Sequence, residues 1–265
     1  MSQKILNWNV GLSFLKSPYM PWEIGKAIVT GKKPQGNNLP EEHIPLVADV
    51  IDQQLPQIAF LHEIDDGEQL EMIVSRLRGS YVGQLSDVCN SRYSAALLRQ
   101  DISYALEKFY VDACITLFGK DHHFPGVANK NVLLVDSGLV IASFKASAGP
   151  VPQIRRNEIR QVISRLDIDY ATRPAIIIGD LNMVRRLNGR FLLNSDAQLY
   201  SDLQASGFID AAKTPQPTTA NNKFILDYAF QRGTDGHVEV LDSAIGKHMD
   251  HRPIAYKPMI LHIDS

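Results

Sequence analysis

Residues 175–182 read AIIIGDLN, a run of four apolar residues that leads into Gly179, Asp180 and Asn182. A short apolar run that ends at a turn signal predicts a strand buried on both faces. A carboxylate or an amide at the end of a buried strand is costly unless it has a partner. This stretch therefore predicts a strand that delivers polar side chains to a site.

Other apolar runs carry polar residues in the same way. They hold Asn9 in residues 5–10, Glu63 in residues 57–63, Asp227 in residues 224–230, and both Asp250 and His251 in residues 249–254. We expect these segments to converge on one site. Hard oxygen ligands together with one histidine suit magnesium or manganese and a phosphate ester.

The size and charge of the chain bear on the number of domains and on binding to nucleic acid. Its 265 residues, 45% of them hydrophobic, fit one large α/β domain or two small ones. Because the candidate site needs residues from both ends of the chain, we predict a single domain over residues 1–265. The net charge of −2 is not that of a protein that holds DNA tightly by charge alone, although local patches can still bind nucleic acid.

Several features bear on location. Cys89 and Cys114 lack the spacing of a metal site, and free thiols in a reducing compartment are expected. The first predicted strand begins near Lys4, which leaves no room for a signal peptide, although a mature form without its leader would look the same. No apolar run approaches the roughly 18 residues of a membrane span. We expect a cytoplasmic monomer with no membrane partner.

Apolar periodicity and breaker residues predict the secondary structure. Residues 11–40 are dense in proline and glycine, which predicts a long loop insertion beside Asn9. The pattern is that of a mixed-sheet α/β layered fold. Helices are predicted over residues 41–55, 67–77, 151–166 and 197–205, and strands over 4–10, 57–63, 81–86, 92–99, 103–110, 112–118, 131–135, 138–145, 175–178, 224–230 and 253–257.

The polar motifs resemble those of a known superfamily. In chain order they read WNV at 8–10, LHE at 61–63, GDLN at 179–182, LDY at 226–228 and DHRP at 250–253. Each is weak alone, but together they resemble the endonuclease/exonuclease/phosphatase superfamily, which has the DNase I-like fold. The resemblance spans nearly the whole chain. It implies a four-layer sandwich of two mixed β-sheets flanked by helices, and a divalent-metal phosphoesterase.

The resemblance also implies a metal site. Glu63 would be the principal ligand of Mg²⁺ or Mn²⁺, and Asn9 and Asp250 would complete the metal region.

Four further residues would carry the catalytic chemistry that the resemblance implies. Asp180 would orient or deprotonate the attacking water, and Asn182 would hold the scissile phosphate. Asp227 would hydrogen-bond His251 and favour its protonated form. His251 would then stabilise charge on phosphorus or act as a base. Each residue alone also fits an ordinary turn, helix cap or strand edge.

One of the departures from the superfamily pattern concerns protonation of the leaving group. Many members have a second histidine at the end of a central strand, where it is linked to protonation of the leaving group. In this chain Phe144 is expected at that position. The proton donor is therefore unassigned, with Lys145, His62, or His122 and His123 as candidates.

Arginines supply possible phosphate contacts. Arg185 and Arg186 closely follow Asn182 and are expected near the mouth of the site. Arg155, Arg156 and Arg160 share a predicted helix face, and such a charged face is usually just solvated.

The leading hypothesis is a metal-dependent nuclease that hydrolyses DNA or RNA. The first alternative is a phosphatase or phosphodiesterase that acts on a small or lipid-headgroup phosphate, which the near-neutral charge favours slightly. The second alternative is a catalytically weakened phosphate-binding module.

Overall fold

The computed structural model describes residues 4–11, 41–64, 66–86, 93–101, 105–111, 114–117, 120–123, 129–135, 138–146, 152–219, 222–241 and 251–259. Most of the predicted loop at residues 11–40 and the predicted metal ligand Asp250 lie outside these residues.

The described residues contain fourteen strands and four helices. The strands are β1 (Ile5–Asn9), β2 (Ile58–Ile64), β3 (Tyr81–Leu85), β4 (Tyr93–Arg99), β5 (Ala105–Val111), β6 (Cys114–Leu117), β7 (Lys120–His123), β8 (Asn129–Val135), β9 (Val140–Ser143), β10 (Ala175–Arg186), β11 (Ile209–Asp210), β12 (Phe224–Arg232), β13 (Asp235–Val240) and β14 (Ile254–Met259). The helices are α1 (Ile44–Gln54), α2 (Gly67–Val74), α3 (Pro152–Asp169) and α4 (Asn194–Ala205), and a 3₁₀ turn (Glu41–His43) precedes α1.

The strands form two mixed six-stranded sheets and a separate hairpin of β6 and β7. The first sheet has the order β13-β14-β1-β2-β4-β3, in which β1 and β2 are parallel. The second has the order β11-β12-β10-β9-β8-β5, in which β9 and β10 are parallel. The predicted fold class, two mixed sheets with helices, is therefore confirmed.

Strand alternation divides the core into three layers. On β1, Leu6 and Trp8 pack against α1, whereas Ile5 faces the second sheet. The cluster around Ile5 contains Ile141 and Ile176 of the second sheet, so it lies between the two sheets. The third cluster lies on the outer face of the second sheet, beneath α3 and α4. The result is the predicted four-layer sandwich.

Four strands differ from the prediction, since β10 is longer than predicted and β7, β11 and β13 are additional. β10 extends to Arg186, well past the predicted end at residue 178, because the polar residues after Gly179 read as a turn. The sequence of β13, DGHVEV, has too few apolar residues to predict a strand. It lies at the edge of the first sheet, where a strand can tolerate polar residues.

The predicted basic face of α3 is not simply solvated. Arg155 forms a buried ion pair with Asp196 of α4 (2.6 Å). Arg156 and Arg160 both contact Asp202 of α4, at 3.1 and 3.0 Å. These arginines therefore join two helices of one layer. Within the described ranges, no helix is long and apolar enough to cross a membrane.

A small polar cluster lies between the sheets at His62. The ring contacts Ser94 Oγ through Nδ1 (2.8 Å), and through Nε2 it contacts Asn7 Oδ1 (3.0 Å) and Ser143 Oγ of the second sheet (3.3 Å). Burial lowers the pKa of His62 to about 3, and the positive charge of Lys145 acts in the same direction. His62 is therefore neutral at physiological pH.

We expect this burial to make the fold sensitive to acid. The unfolded chain protonates His62 near pH 6.5 and the folded chain does so only near pH 3, so the stabilisation is complete above about pH 6.5 and is lost as the pH falls below it. From His62 alone, the free energy of unfolding should fall by about 2 kcal/mol between pH 7.5 and pH 5. Urea unfolding across this range measures the effect.

His62→Gln is the control for that measurement. It should be less stable than the wild type at pH 7.5 but should lose less stability on acidification. Parallel pH profiles for the two proteins would assign the acid sensitivity to other groups.

Candidate active site

The GDLN motif forms an irregular segment of β10. Asp180 pairs with Asp227 of β12, but the register then shifts, and the next pair joins Arg185 to Ile225. Asn182 lies in this irregular segment with a left-handed φ of 51°. The motif therefore departs from strand geometry where its polar residues occur.

Gly179 lets this segment approach its neighbour closely. A Cβ at position 179 would lie 1.7 Å from the carbonyl oxygen of Phe144. On either side, Phe144 N donates to Ile178 O (2.9 Å) and Ala146 N donates to Asp180 O (2.8 Å). The glycine is therefore required by the contact between β10 and residues 144–146.

Glu63 occupies a similar irregularity in the first sheet. The pairing of β2 with β4 shifts between His62 and Ile64, and Glu63 takes a φ of 68°. A non-glycine residue in this region costs on the order of 1–3 kcal/mol of backbone strain. Glu63 and Asn182, both predicted site residues, thus share a left-handed backbone conformation.

Asp180, Asp227 and His251 form a buried cluster, as the convergence of the motifs predicted. His251 Nδ1 lies 2.8 Å from Asp227 Oδ2, and His251 Nε2 lies 3.8 Å from Asp180 Oδ2. Potential ligand atoms of the three side chains all lie within 4.8 Å of one another. The His251 carbonyl also accepts a hydrogen bond from Trp8 Nε1 (2.9 Å), which ties the cluster to β1.

Asn9 links this cluster to the first sheet. Its Nδ2 donates to Asp180 Oδ2 (3.0 Å), and its Oδ1 accepts from Gly11 N (3.2 Å). Asp180 Oδ1 accepts from the backbone N–H of Asn182 (3.1 Å), whose side-chain Nδ2 donates to Ala146 O (2.8 Å). Asp180 is thus held by donors from both sheets.

The close charges perturb the acid–base behaviour of the cluster. Burial raises the pKa of Asp180, and the positive charge of His251 opposes this. Burial alone would lower the pKa of His251, but the carboxylates of Asp227 and Asp180 raise it to about 10. His251 is therefore an imidazolium at neutral pH, with an N–H on each ring nitrogen.

Asp227 is positioned by a residue that the sequence analysis did not single out. Thr218 Oγ1 accepts from the backbone N–H of Leu226 (2.9 Å) and of Asp227 (3.1 Å). The Oδ1 atom of Asp227 has no hydrogen-bond donor among the described residues. Asp227 also lines a cavity of about 20 Å³, which has room for about one water molecule.

Lys145, named as a candidate proton donor, has a partner that the sequence analysis did not predict. Its ammonium forms an ion pair with Glu63 Oε1, and the two side chains are 19% and 8% exposed. Both faces of β9 are buried, so the sequence does not give this facing. In the structure Lys145 has the same parity as Ser143, which contacts His62 of the first sheet.

The side chain of Phe144 packs beneath the outer helices. The sequence analysis placed it where many superfamily members have a histidine, but strand alternation turns its side chain into the buried cluster beneath α3 and α4. Of the alternative proton donors, His62 is engaged through both ring nitrogens inside the core. The structure does not describe the side chains of His122 and His123. Lys145 is the candidate that contacts a predicted site residue.

The structure gives Arg185 other partners than a phosphate. Its guanidinium contacts Gly189 O (3.3 Å) and Asp210 Oδ2 (3.4 Å) and lies over the rings of Tyr200 and Phe191, with centroid distances of 5.1 and 5.6 Å. Arg185 is therefore packed among neighbouring side chains, and it lines the same small cavity as Asp227. Arg186 is exposed.

Comparison with solved structures identifies the fold. No protein-family model and no curated protein matches the chain. Solved structures do match. An endonuclease/exonuclease/phosphatase from Bacteroides vulgatus superposes with a TM-score of 0.66 at 14% identity, covering 98% of this chain and 99% of the other. The chain has the endonuclease/exonuclease/phosphatase fold. The resemblance predicted from the five motifs is thus confirmed at the level of the fold.

Two further structures with this fold indicate its range. A mannosyl-6-phosphatase from Bacteroides thetaiotaomicron gives a TM-score of 0.63 at 15% identity, covering 98% of this chain and 100% of the other. D. rerio TDP2 complexed with a single-strand DNA product gives 0.61 at 14% identity, covering 98% and 99%. Solved structures with this fold thus include a sugar phosphatase and a protein bound to single-strand DNA.

We expect Gly179→Ala to destabilise the protein by at least about 2 kcal/mol, because the new methyl group overlaps the Phe144 carbonyl and forces β10 away from residues 144–146. Gly138→Ala is the control, since a Cβ there meets nothing within 4 Å. Thermal and urea unfolding measure both variants. Equal stability of the two would contradict the packing argument.

Proposed function

We propose that this protein is a divalent-metal-dependent phosphoric ester hydrolase that acts on phosphodiester bonds of DNA or RNA. The observation that carries the proposal is the buried arrangement of Asp180, Asp227 and His251. Two buried carboxylates within reach of one imidazolium are expensive to maintain for stability alone. Attack of water on a phosphate ester uses such groups to activate the water and to neutralise developing charge.

Asp180 is proposed to orient the attacking water and accept its proton. Its Oδ1 and Oδ2 each accept one hydrogen bond, from the Asn182 backbone and from Asn9, which fixes the plane of the carboxylate. Burial raises its pKa, which makes it a stronger base than an exposed aspartate. Asn182 lies next to it, partly exposed, and is proposed to hold the scissile phosphate.

His251 is proposed to act as a cation. Asp227 accepts a hydrogen bond from His251 Nδ1, which fixes the orientation of the ring and favours its charged form. With a pKa of about 10, the imidazolium can donate from Nε2 to a phosphate oxygen and stabilise its negative charge. Of the two roles that the resemblance implied, this pKa favours stabilisation of charge over action as a base.

The oxygen donors at the ends of β1 and β2 fit a divalent ion. These strands are neighbours and parallel, so Asn9 and Glu63 leave the sheet at the same edge. Asn9 Oδ1 accepts one hydrogen bond among the described residues and retains a lone pair. We propose these two residues and Asp250 as ligands of Mg²⁺ or Mn²⁺. When bound, the ion would neutralise phosphate charge and polarise the phosphorus–oxygen bonds.

The substrate class has one alternative with specific support. A nucleic acid is favoured by the likeness to TDP2, whose structure contains a single-strand DNA product. A small phosphate ester is favoured by the net charge of −2 and by the likeness to a mannosyl-6-phosphatase. Arg186 remains a proposed phosphate contact in either case, whereas Arg185 is already engaged by Asp210.

Hydrolysis assays test the proposal. The panel contains single- and double-stranded DNA, RNA, bis-p-nitrophenyl phosphate, and sugar and inositol phosphates, each with Mg²⁺, Mn²⁺ or EDTA. We expect metal-dependent hydrolysis that falls about a thousandfold in Asp180→Asn, because the base is lost while the shape is kept. Asp202→Asn, which removes a carboxylate paired with helix arginines, should retain activity. Full activity of Asp180→Asn would refute the assignment.

Salt distinguishes the substrate classes. A nucleic acid that contacts several cationic groups should show a KM that rises steeply between about 50 and 200 mM salt, because counterion release weakens. A small ester should show a much smaller rise in KM over the same range. Binding of inorganic phosphate without turnover of any substrate would instead favour the weakened binding module.

A further inference from the structure

The predicted metal ligand Glu63 already has a cation beside it. The Lys145 ammonium contacts Glu63 Oε1, and the pair is largely buried. A carboxylate in such a place needs a positive partner, because an uncompensated buried charge is strongly destabilising. Lys145 supplies that partner.

The backbone position of Lys145 is fixed by the hydrogen bonds of its two neighbours in the chain. Phe144 N donates to Ile178 O, and Ala146 N donates to Asp180 O, so hydrogen bonds to β10 hold the backbone on both sides of the lysine. The ammonium lies at the end of a flexible four-carbon stem. It can therefore leave Glu63 without any movement of the strand.

An ammonium and a divalent ion at the same carboxylate oxygen compete for its lone pairs. Both would approach the negatively charged lone-pair region of Glu63 Oε1, and their own positive charges repel each other. We propose that Lys145 is a built-in competitor for the divalent ion at Glu63, so that metal binds only by displacing the lysine and binds more weakly than the oxygen ligands alone would allow. This inference rests on the proposed function, since it concerns the metal of the same site.

Measurement of Mn²⁺ affinity tests the competition directly. The whole chain is titrated with Mn²⁺, and the free ion is followed by electron paramagnetic resonance. Lys145→Met keeps the length and apolar stem of the side chain and removes its charge, so it should bind Mn²⁺ at least about tenfold more tightly than the wild type. Lys145→Arg keeps the charge and should bind as weakly as the wild type. Equal or weaker binding by Lys145→Met overturns the proposal.

Glu63→Gln separates local competition from a general effect of charge. In that background the added Lys145→Met substitution should give no gain in Mn²⁺ affinity, because the contested carboxylate is gone. A gain as large as in the wild-type background would show that Lys145 acts only through the overall charge of the site, and would overturn the proposal.

Stability provides a second readout. Without metal, Lys145→Met should melt at a lower temperature than the wild type, because Glu63 has lost its ammonium partner. Saturating Mn²⁺ should raise the melting temperature of the variant more than that of the wild type. If Lys145→Met does not fold, Lys145→Gln replaces it in both measurements. An equal rise in the two proteins contradicts the competition.

The two proposals fail in different ways. Hydrolysis that is abolished in Asp180→Asn, combined with equal Mn²⁺ affinity of wild type and Lys145→Met, leaves the proposed function standing and overturns the competition alone. Absence of Mn²⁺ binding by both proteins also overturns the competition. Hydrolysis that persists in EDTA would then remove the metal from the proposed function as well.

Discussion

Two carboxylates lie directly opposite each other on neighbouring strands in the buried space between the sheets. Asp180 and Asp227 are a register pair of β10 and β12, and like charges at such positions destabilise a sheet. His251 makes the arrangement tolerable, because its imidazolium contacts Asp227 and lies near Asp180. Since the His251 carbonyl is held by Trp8 of the first sheet, this charge balance depends on correct packing of both sheets.

The backbone irregularities belong to the same arrangement. Asn182 and Glu63 both take positive φ values, and each lies where the register of a strand pair shifts. Gly179 permits a contact with Phe144 that no other residue type allows. Strain of this kind persists only where the surrounding structure over-determines it. Here the determinants include hydrogen bonds that join residues 144–146 to Ile178, Asp180 and Asn182.

Residues that lie at strand ends could be located from the sequence, and residues whose location depends on which face of a strand they occupy could not. The end of the AIII run sufficed to place Asp180 at the site. In β9 both faces are buried, so alternation alone does not tell whether Phe144 or Lys145 faces the other sheet. Arg185 was expected at phosphate because it follows Asn182, but the irregular end of β10 directs it to Asp210. Sequence spacing does not reveal such a change of direction.

The net charge of the site explains why the proposed chemistry needs a divalent ion in addition to the described side chains. Glu63, Asp180 and Asp227 supply three carboxylates, and Lys145 and His251 supply two cations, so the set carries one net negative charge when all are ionised. A phosphodiester adds another negative charge, and an anion approaching this site would be repelled. A divalent ion at Glu63 would reverse the sign of the site. Lys145 would remain near the site after its displacement, because its backbone does not move. The positive charges of the divalent ion and of the Lys145 ammonium would then both act on the phosphate.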